Sequence, residues 1–226
     1  MSEEEAYQEP VTQPRPSAVR ELLGRRRLLI MLAVLLVELT IFFLATSVPM
    51  NAATQQALQS EENNITGVSN SLGPTGQFIY IFTHNAAIAF GEMIPVVGGI
   101  LWVVSIYLTG QIFQAVALSH GAPGALYGLL LFFFPFAIVE LSAYAVAASS
   151  GVMLIVAWRR RQLRSETRVL VLEAGVIASM LLVAAAMETV TIANPVLGIA
   201  LWIPTGLTIA ALALMRARYR QGPVRV

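Results

Sequence analysis

The sequence contains no cysteine, no lysine and no aspartate. The lack of cysteine excludes disulfides, thiol catalysis and cysteine metal sites. Only 12% of the 226 residues are charged and 57% are hydrophobic, which is too apolar for an ordinary soluble domain. A net charge of +1 argues against nucleic acid as a partner, because a phosphate-binding surface needs an excess of cations. The composition therefore indicates an integral membrane protein, with the lipid bilayer as its first partner.

The fourteen basic residues are all arginines and lie in three blocks, at 15–27, 159–168 and 216–225. The positive-inside rule predicts that all three blocks are cytoplasmic, which requires an even number of crossings between consecutive blocks. The hydropathy agrees, because the chain contains six apolar spans, at 28–48, 77–94, 98–118, 125–157, 169–192 and 195–215. We therefore predict an all-α protein with six transmembrane helices in the cell membrane and both termini cytoplasmic.

These spans predict one membrane domain over 28–215 between two polar ends. The acidic and proline-rich start predicts a disordered cytoplasmic tail over 1–27 with a basic end, and 216–226 predicts a basic cytoplasmic tail. Residues 49–77 are expected to form an external loop. Residues 159–168 are expected to form a cytoplasmic loop that contacts anionic lipids.

The first span has a signal peptide as its alternative interpretation, since small residues follow it at Ala45-Thr46-Ser47. An uncleaved helix is the better interpretation, because the apolar stretch exceeds the ~7 to 15 residues of a signal peptide core. The loop that follows contains the glycan-acceptor sequon Asn64-Ile65-Thr66. Short sequons are common by chance, so glycosylation at Asn64 and an ordinary polar loop both remain open.

The region around residues 84–99 is unsuited to a continuous membrane helix. It contains the polar pair His84-Asn85, followed by Gly91, Pro95 and Gly98-Gly99. An interrupted helix in hydrocarbon leaves backbone groups unpaired, which is tolerable only against protein or a wet cavity. We therefore expect an interrupted helix here, buried in the protein interior.

The span at 125–157 is longer than a membrane requires, since a helix of that length approaches ~50 Å against a hydrocarbon core of ~30 Å. Pro135 is the expected kink site. Glu140 and Tyr144 lie four residues apart and share one face of the following helix, so the phenol can donate to the carboxylate.

Several motifs resemble the stage II sporulation protein M family over residues 77–157. They are His84-Asn85, Gly91, Pro95, Gly98-Gly99, Tyr107-Leu108-Thr109-Gly110, and Pro135 with Glu140 and Ala143-Tyr144. The resemblance implies a polytopic membrane anchor that acts in engulfment at sporulation beside peptidoglycan-cutting partners, without its own hydrolase site. Two positions depart from the family pattern. His84 stands where the family has the first residue of an asparagine pair, and Pro135-Phe136-Ala137 stands where the family has a Pro-His-Gly element. A role of the histidine in that element therefore cannot be transferred to this chain.

Five glutamates lie inside the predicted spans, where no arginine is available to pair with them: Glu38, Glu92, Glu140, Glu173 and Glu188. An ionised side chain at a helix centre costs about 2.5 to 3.5 kcal/mol, and holding a glutamate protonated at pH 7 costs a comparable ~3.7 kcal/mol. Lipid exposure is therefore disfavoured, whereas neutral and charged states both remain open.

Position along the spans divides these glutamates into two groups. Glu92, Glu173 and Glu188 lie near predicted span ends, where snorkelling to the interface accounts for them. Glu38 and Glu140 lie near the membrane centre. We predict a buried polar site formed by Glu38, His84, Asn85, Glu140 and Tyr144, either as structural hydrogen bonding or as an ion or proton site.

The sequence contains no pattern typical of an enzyme. Its only histidines are His84 and His120, so no metal-ligand cluster is visible, and it has no nucleophile elbow, phosphate loop or dinucleotide fingerprint. We predict no catalytic residues, no metal and no cofactor. The expected function is a non-enzymatic scaffold or assembly partner of a cell-envelope complex, with a transporter or channel subunit using the intramembrane glutamates as the alternative.

Other membrane or envelope proteins are the expected partners. Homodimerisation is also expected, through the small-residue faces at Gly110 and 143–151.

Overall fold

The computed structural model describes residues 18–221, which are helical almost throughout and contain no strand within that range. The predicted all-α fold is confirmed. The predicted tail segments 1–17 and 222–226 lie outside the described residues. The helices are α1 (Ala18–Leu22), α2 (Arg25–Ala45), α3 (Ala52–Ser71), α4 (Gly73–Glu92), α5 (Val97–Ser119), α6 (Gly124–Leu131), α7 (Pro135–Arg159), α8 (Leu163–Ala193), α9 (Pro195–Ala200) and α10 (Trp202–Gln221).

Five segments within residues 18–221 are long and apolar enough to cross a membrane: α2, α5, α7, α8 and the run Pro195–Ala217, which joins α9 to α10. The chain is therefore a multi-pass membrane protein. Helix α4 is not among the five, so the predicted count of six spans is not confirmed. Its 20 residues correspond to about 30 Å of helix, but it is less apolar and packs against α3, α5, α7 and α8.

Two of the arginine blocks meet at one end of the bundle, which we name the arginine end. Arg27 in the first turn of α2 forms salt bridges with Glu166 and Glu173 of α8. Helix α7 ends at Arg159, and a short connection leads into α8. At the opposite end, Gly124 lies against the Thr46 carbonyl that follows α2.

The interruption predicted around residues 84–99 is shorter than expected. Helix α4 continues through His84 and Asn85 to Glu92, and α5 begins at Val97. Between them Val96 has φ 68° and ψ −62°, and the Val97 N–H donates to the Pro95 carbonyl at 2.8 Å. These values define a classic γ-turn, a rare and strained conformation. Pro95 and Val96 are exposed, so the expectation that the whole interruption is buried is wrong.

The predicted external loop 49–77 contains a helix, α3. Asn51 caps its start by accepting from the Thr54 N–H at 2.8 Å, and Gln59 donates to the Ala115 carbonyl of α5 at 2.9 Å. Asn64 is exposed on this helix. Residues 18–27, assigned from the sequence to a disordered tail, form α1 and the first turn of α2.

The long fourth span divides into α6 and α7. Phe132, Phe133 and Phe134 separate the two helices, and Pro135 occupies the first turn of α7. Proline is tolerated at this position because the first helical N–H has no partner within the helix. The expected kink site is therefore a helix start.

The small-residue faces pack inside the chain. A Cβ added at Gly110 would lie 2.6 Å from the Ala45 Cβ, so this glycine permits the close approach of α5 to α2. Ala143 and Ala147 lie in a core cluster with Ile177 and Leu181 of α8. Homodimerisation remains a prediction, but these faces no longer support it.

Candidate functional site

Six helices, α2, α4, α5, α6, α7 and α8, line a cavity of about 240 Å³. Its lining brings together all the residues of the predicted polar site: Glu38, His84, Asn85, Glu140 and Tyr144. It also includes Glu92 and Glu188, which the sequence analysis assigned to helix ends. Four glutamates from four helices therefore face one space, which we name the acidic cavity.

Glu38 is the most isolated of these carboxylates. It lies in the middle of α2 with 0% of its surface exposed, and neither carboxylate oxygen has a hydrogen-bond partner within the described residues. The indole of Trp102 lies close by on α5, but its buried N–H and the carboxylate do not meet hydrogen-bond geometry. A buried carboxylate without partners is costly, so this position is not explained by fold stability alone.

Glu140 and Tyr144 form the contact that their spacing predicts. The Tyr144 hydroxyl donates to Glu140 Oε1 at 3.1 Å, and both side chains are partly buried. Asn85 is buried on α4, whereas His84 is exposed and stacks on Tyr80. The cavity is therefore open on the side of His84.

Glu92 and Glu188 line the cavity instead of snorkelling to the membrane interface. Glu92 is 1% exposed, and its Oε1 accepts from Ser105 at 3.1 Å, while its Oε2 has no partner within the described residues. Glu188 is half-buried and lines the cavity. Asn85 and Glu92 are seven residues apart and share one face of α4, a helical spacing that could have indicated this arrangement.

A second buried polar cluster lies at the arginine end, and we name it the arginine clasp. Arg27 bonds Glu173 through one guanidinium nitrogen and Glu166 through the other, and Ser150 of α7 donates to Glu173 Oε2 at 2.8 Å. Glu173 is 0% exposed. The expectation that Glu173 lacks a cationic partner and snorkels is therefore wrong.

The two clusters differ in charge balance. The clasp contains a guanidinium between two carboxylates, which satisfies much of the buried charge. Among residues 18–221 no arginine lines the acidic cavity, and no group of three histidine or acidic side chains is close enough to hold a metal ion. The acidic cavity therefore contains four carboxyl groups and, within the described residues, no cation that compensates them.

Comparison with known proteins gives one family. The family model for stage II sporulation protein M matches residues 28–191, which is well over half of the chain and wider than the motifs at 77–157. No curated protein and no solved structure matches the chain. The matched segment includes α2 to α8 apart from three residues at the start of α2 and two at the end of α8, with both polar clusters except Arg27. The chain belongs to the stage II sporulation protein M family.

Proposed function

We propose that this protein is a non-enzymatic scaffold that assembles a cell-envelope complex, with α3 as its docking element. The observation that supports this role is a 20-residue polar helix held rigidly outside the apolar spans. Family membership is consistent with it, since the resemblance implies partners that act on the outer face of the membrane.

The surface of α3 suits protein recognition. Its N-terminal cap stabilises the start of the helix, and the bond from Gln59 to Ala115 attaches it to α5, so little conformational freedom is lost on binding. Polar side chains, including Ser60, Glu61 and Asn64, are exposed along it. A rigid helix that presents amides, hydroxyls and carboxylates favours a polar partner surface over lipid.

The partner is tested by photo-crosslinking from α3 in native membranes, followed by purification in mild detergent and identification of the attached chains. A crosslinker at Gln56, which is exposed on α3, is expected to capture an envelope protein. The matched control is Leu207, which is exposed on the apolar α10 and should contact lipid. Equal capture from both positions would contradict docking at α3.

The scaffold role requires α3 outside the cell, with α4 as a sixth crossing and both termini cytoplasmic. Since the chain has no cysteine, Ser60→Cys on α3 should react with a membrane-impermeant maleimide in intact cells. Gln162→Cys, exposed between α7 and α8, should react only after permeabilisation. If Ser60→Cys reacts only after the inner face is opened, the assignment of sides is wrong.

A transporter or channel subunit is the second candidate, favoured by the acidic cavity and its exposed His84. Glu140→Gln should keep the fold, because an amide oxygen still accepts from Tyr144, but should abolish a pH-dependent flux in reconstituted vesicles, because glutamine does not titrate. Glu61→Gln, exposed on α3, is the matched control. A Glu140→Ala protein with unchanged stability, partners and flux would remove any role of this residue.

A further inference from the structure

We propose that the acidic cavity binds a small organic ammonium cation, with Glu38 as its main counter-charge. This goes beyond the scaffold role, because a ligand in the cavity does not depend on a partner at α3. In the transport alternative it names the class of the transported molecule.

Glu38 is short of hydrogen-bond donors. Both of its carboxylate oxygens are buried and unpartnered in the described part of the chain, the nearby Trp102 N–H does not reach hydrogen-bond geometry, and Glu38 lines the cavity. Glu92 contributes a third unpartnered oxygen, Oε2, to the same lining. Two carboxylates short of donors on one cavity favour a ligand that carries N–H groups or positive charge.

The charged side chains in the cavity lining favour a cationic ligand. The lining contains Glu38, Glu92, Glu140 and Glu188, and no arginine from residues 18–221 faces them. The arginine clasp shows the alternative solution in the same bundle, since Arg27 compensates Glu166 and Glu173 there. The acidic cavity has no such internal cation within the described residues, and a bound ammonium group would take that place by stabilising the ionised form of its carboxyls.

A compact metal site is not indicated, because within the described residues no three acidic or histidine side chains lie close enough to hold one ion. The lining instead includes aromatic rings as well as carboxylates, among them Phe42, Trp102 and Phe113. An ammonium group is stabilised by a carboxylate on one side and an aromatic face on the other. An apolar body attached to it fills the remaining surface.

The shape of the cavity is consistent with such a ligand. Its lining on α5 extends from Trp102 to Phe113, about 16 Å along the helix. His84 is exposed, and Glu140 and Tyr144 are partly so, which means that the cavity reaches the surface of the helix bundle beside His84. A volume of about 240 Å³ limits the ligand to a small molecule.

The test is equilibrium dialysis of the detergent-purified full chain against radiolabelled 2-phenylethylamine at neutral pH, where the amine is a cation. We expect saturable binding of one molecule per chain. Glu38→Gln should weaken it by about tenfold or more, equivalent to about 1.4 kcal/mol, because it removes the main counter-charge. Glu61→Gln, exposed on α3, should bind as the unmodified chain does.

Three results would overturn the inference. They are the absence of saturable binding, equal displacement by the neutral isostere 2-phenylethanol, and complete displacement by millimolar Na⁺ or Mg²⁺. Gel filtration and thermal unfolding check that Glu38→Gln is folded, and Glu92→Gln, also in the lining, repeats the test if it is not. Because neither partners nor flux are measured, failure here is distinct from failure of either proposed function.

Discussion

Replacement of Arg27 with methionine is expected to destabilise the protein by about 3–5 kcal/mol, the usual cost of removing one partner of a buried ion pair. The change leaves Glu173, which is fully buried, without its cation, and releases Glu166 as well. Thermal unfolding of the detergent-purified chain measures the loss. The first turn of α2, which the clasp joins to α8, should also separate more readily from α8, which limited proteolysis can follow.

Arg26→Met is the matched control for this experiment, because Arg26 is the preceding residue and is exposed. It should unfold close to the temperature of the unmodified chain. Adding Glu173→Gln to Arg27→Met should restore part of the lost stability, since the uncompensated carboxylate is then removed. Equal stability of the Arg26 and Arg27 variants would show that the arginine clasp does not stabilise the fold.

Gly98→Ala is expected to destabilise the protein by about 1–3 kcal/mol through overpacking. Gly98 lies in the first turn of α5, where an added Cβ would collide with the Glu92 carbonyl group and approach the Gly91 oxygen at 2.8 Å. These neighbours are backbone atoms, so the end of α4 must move to relieve the contact. The thermal unfolding midpoint in detergent should fall accordingly.

Gly99 offers an adjacent control in the same helix. A Cβ at Gly99 meets no atom within 4 Å, so Gly99→Ala should be neutral or stabilise the chain by up to about 1 kcal/mol through helix propensity. Similar melting of the two alanine variants would show that the α4–α5 corner tolerates extra volume. The γ-turn at Val96 would then not depend on close packing.

Much of the fold follows from the sequence because membrane proteins obey few and strong rules. The absence of arginine from the apolar spans predicted the helix ends, and Arg27 and Arg159 do lie at one end of the bundle. Pro135 was expected to kink one long helix, but it begins a separate helix, α7, because its ring cannot continue a preceding helix. The glycines around Gly98 marked a corner, although only residues 93–96 leave the helix.

The contacts between distant helices could not be predicted in the same way. Sequence position placed Glu92 and Glu173 near span ends, but whether an end is wet depends on which neighbours cover it. Glu173 is covered by α2 and α7, and Glu92 by the α4–α5 corner and α7. Helix α3 was not predicted, because its polar sequence resembles a loop and the helix is stabilised by tertiary contacts.

The candidate site was predicted in part for a physical reason. The sequence places Glu38 and Glu140 near the centres of their predicted spans, where exposure to lipid is costly, and both residues line the acidic cavity. The rotation of α8, which brings Glu188 to the same space, depends on packing of Ile177 and Leu181 against α7. No local pattern around Glu188 carries that information.

The arginine clasp sets an order of events during biosynthesis. Arg27 is separated from Glu166 by 139 positions, so at about 5–20 residues per second roughly 7–28 s pass between their syntheses. During this interval α2 is in place while the acceptors of its guanidinium have not been made. The clasp can therefore fix α2 only after the start of α8 has been made. Chains that terminate before residue 166 carry an uncompensated cation on α2, which distinguishes incomplete products from finished ones.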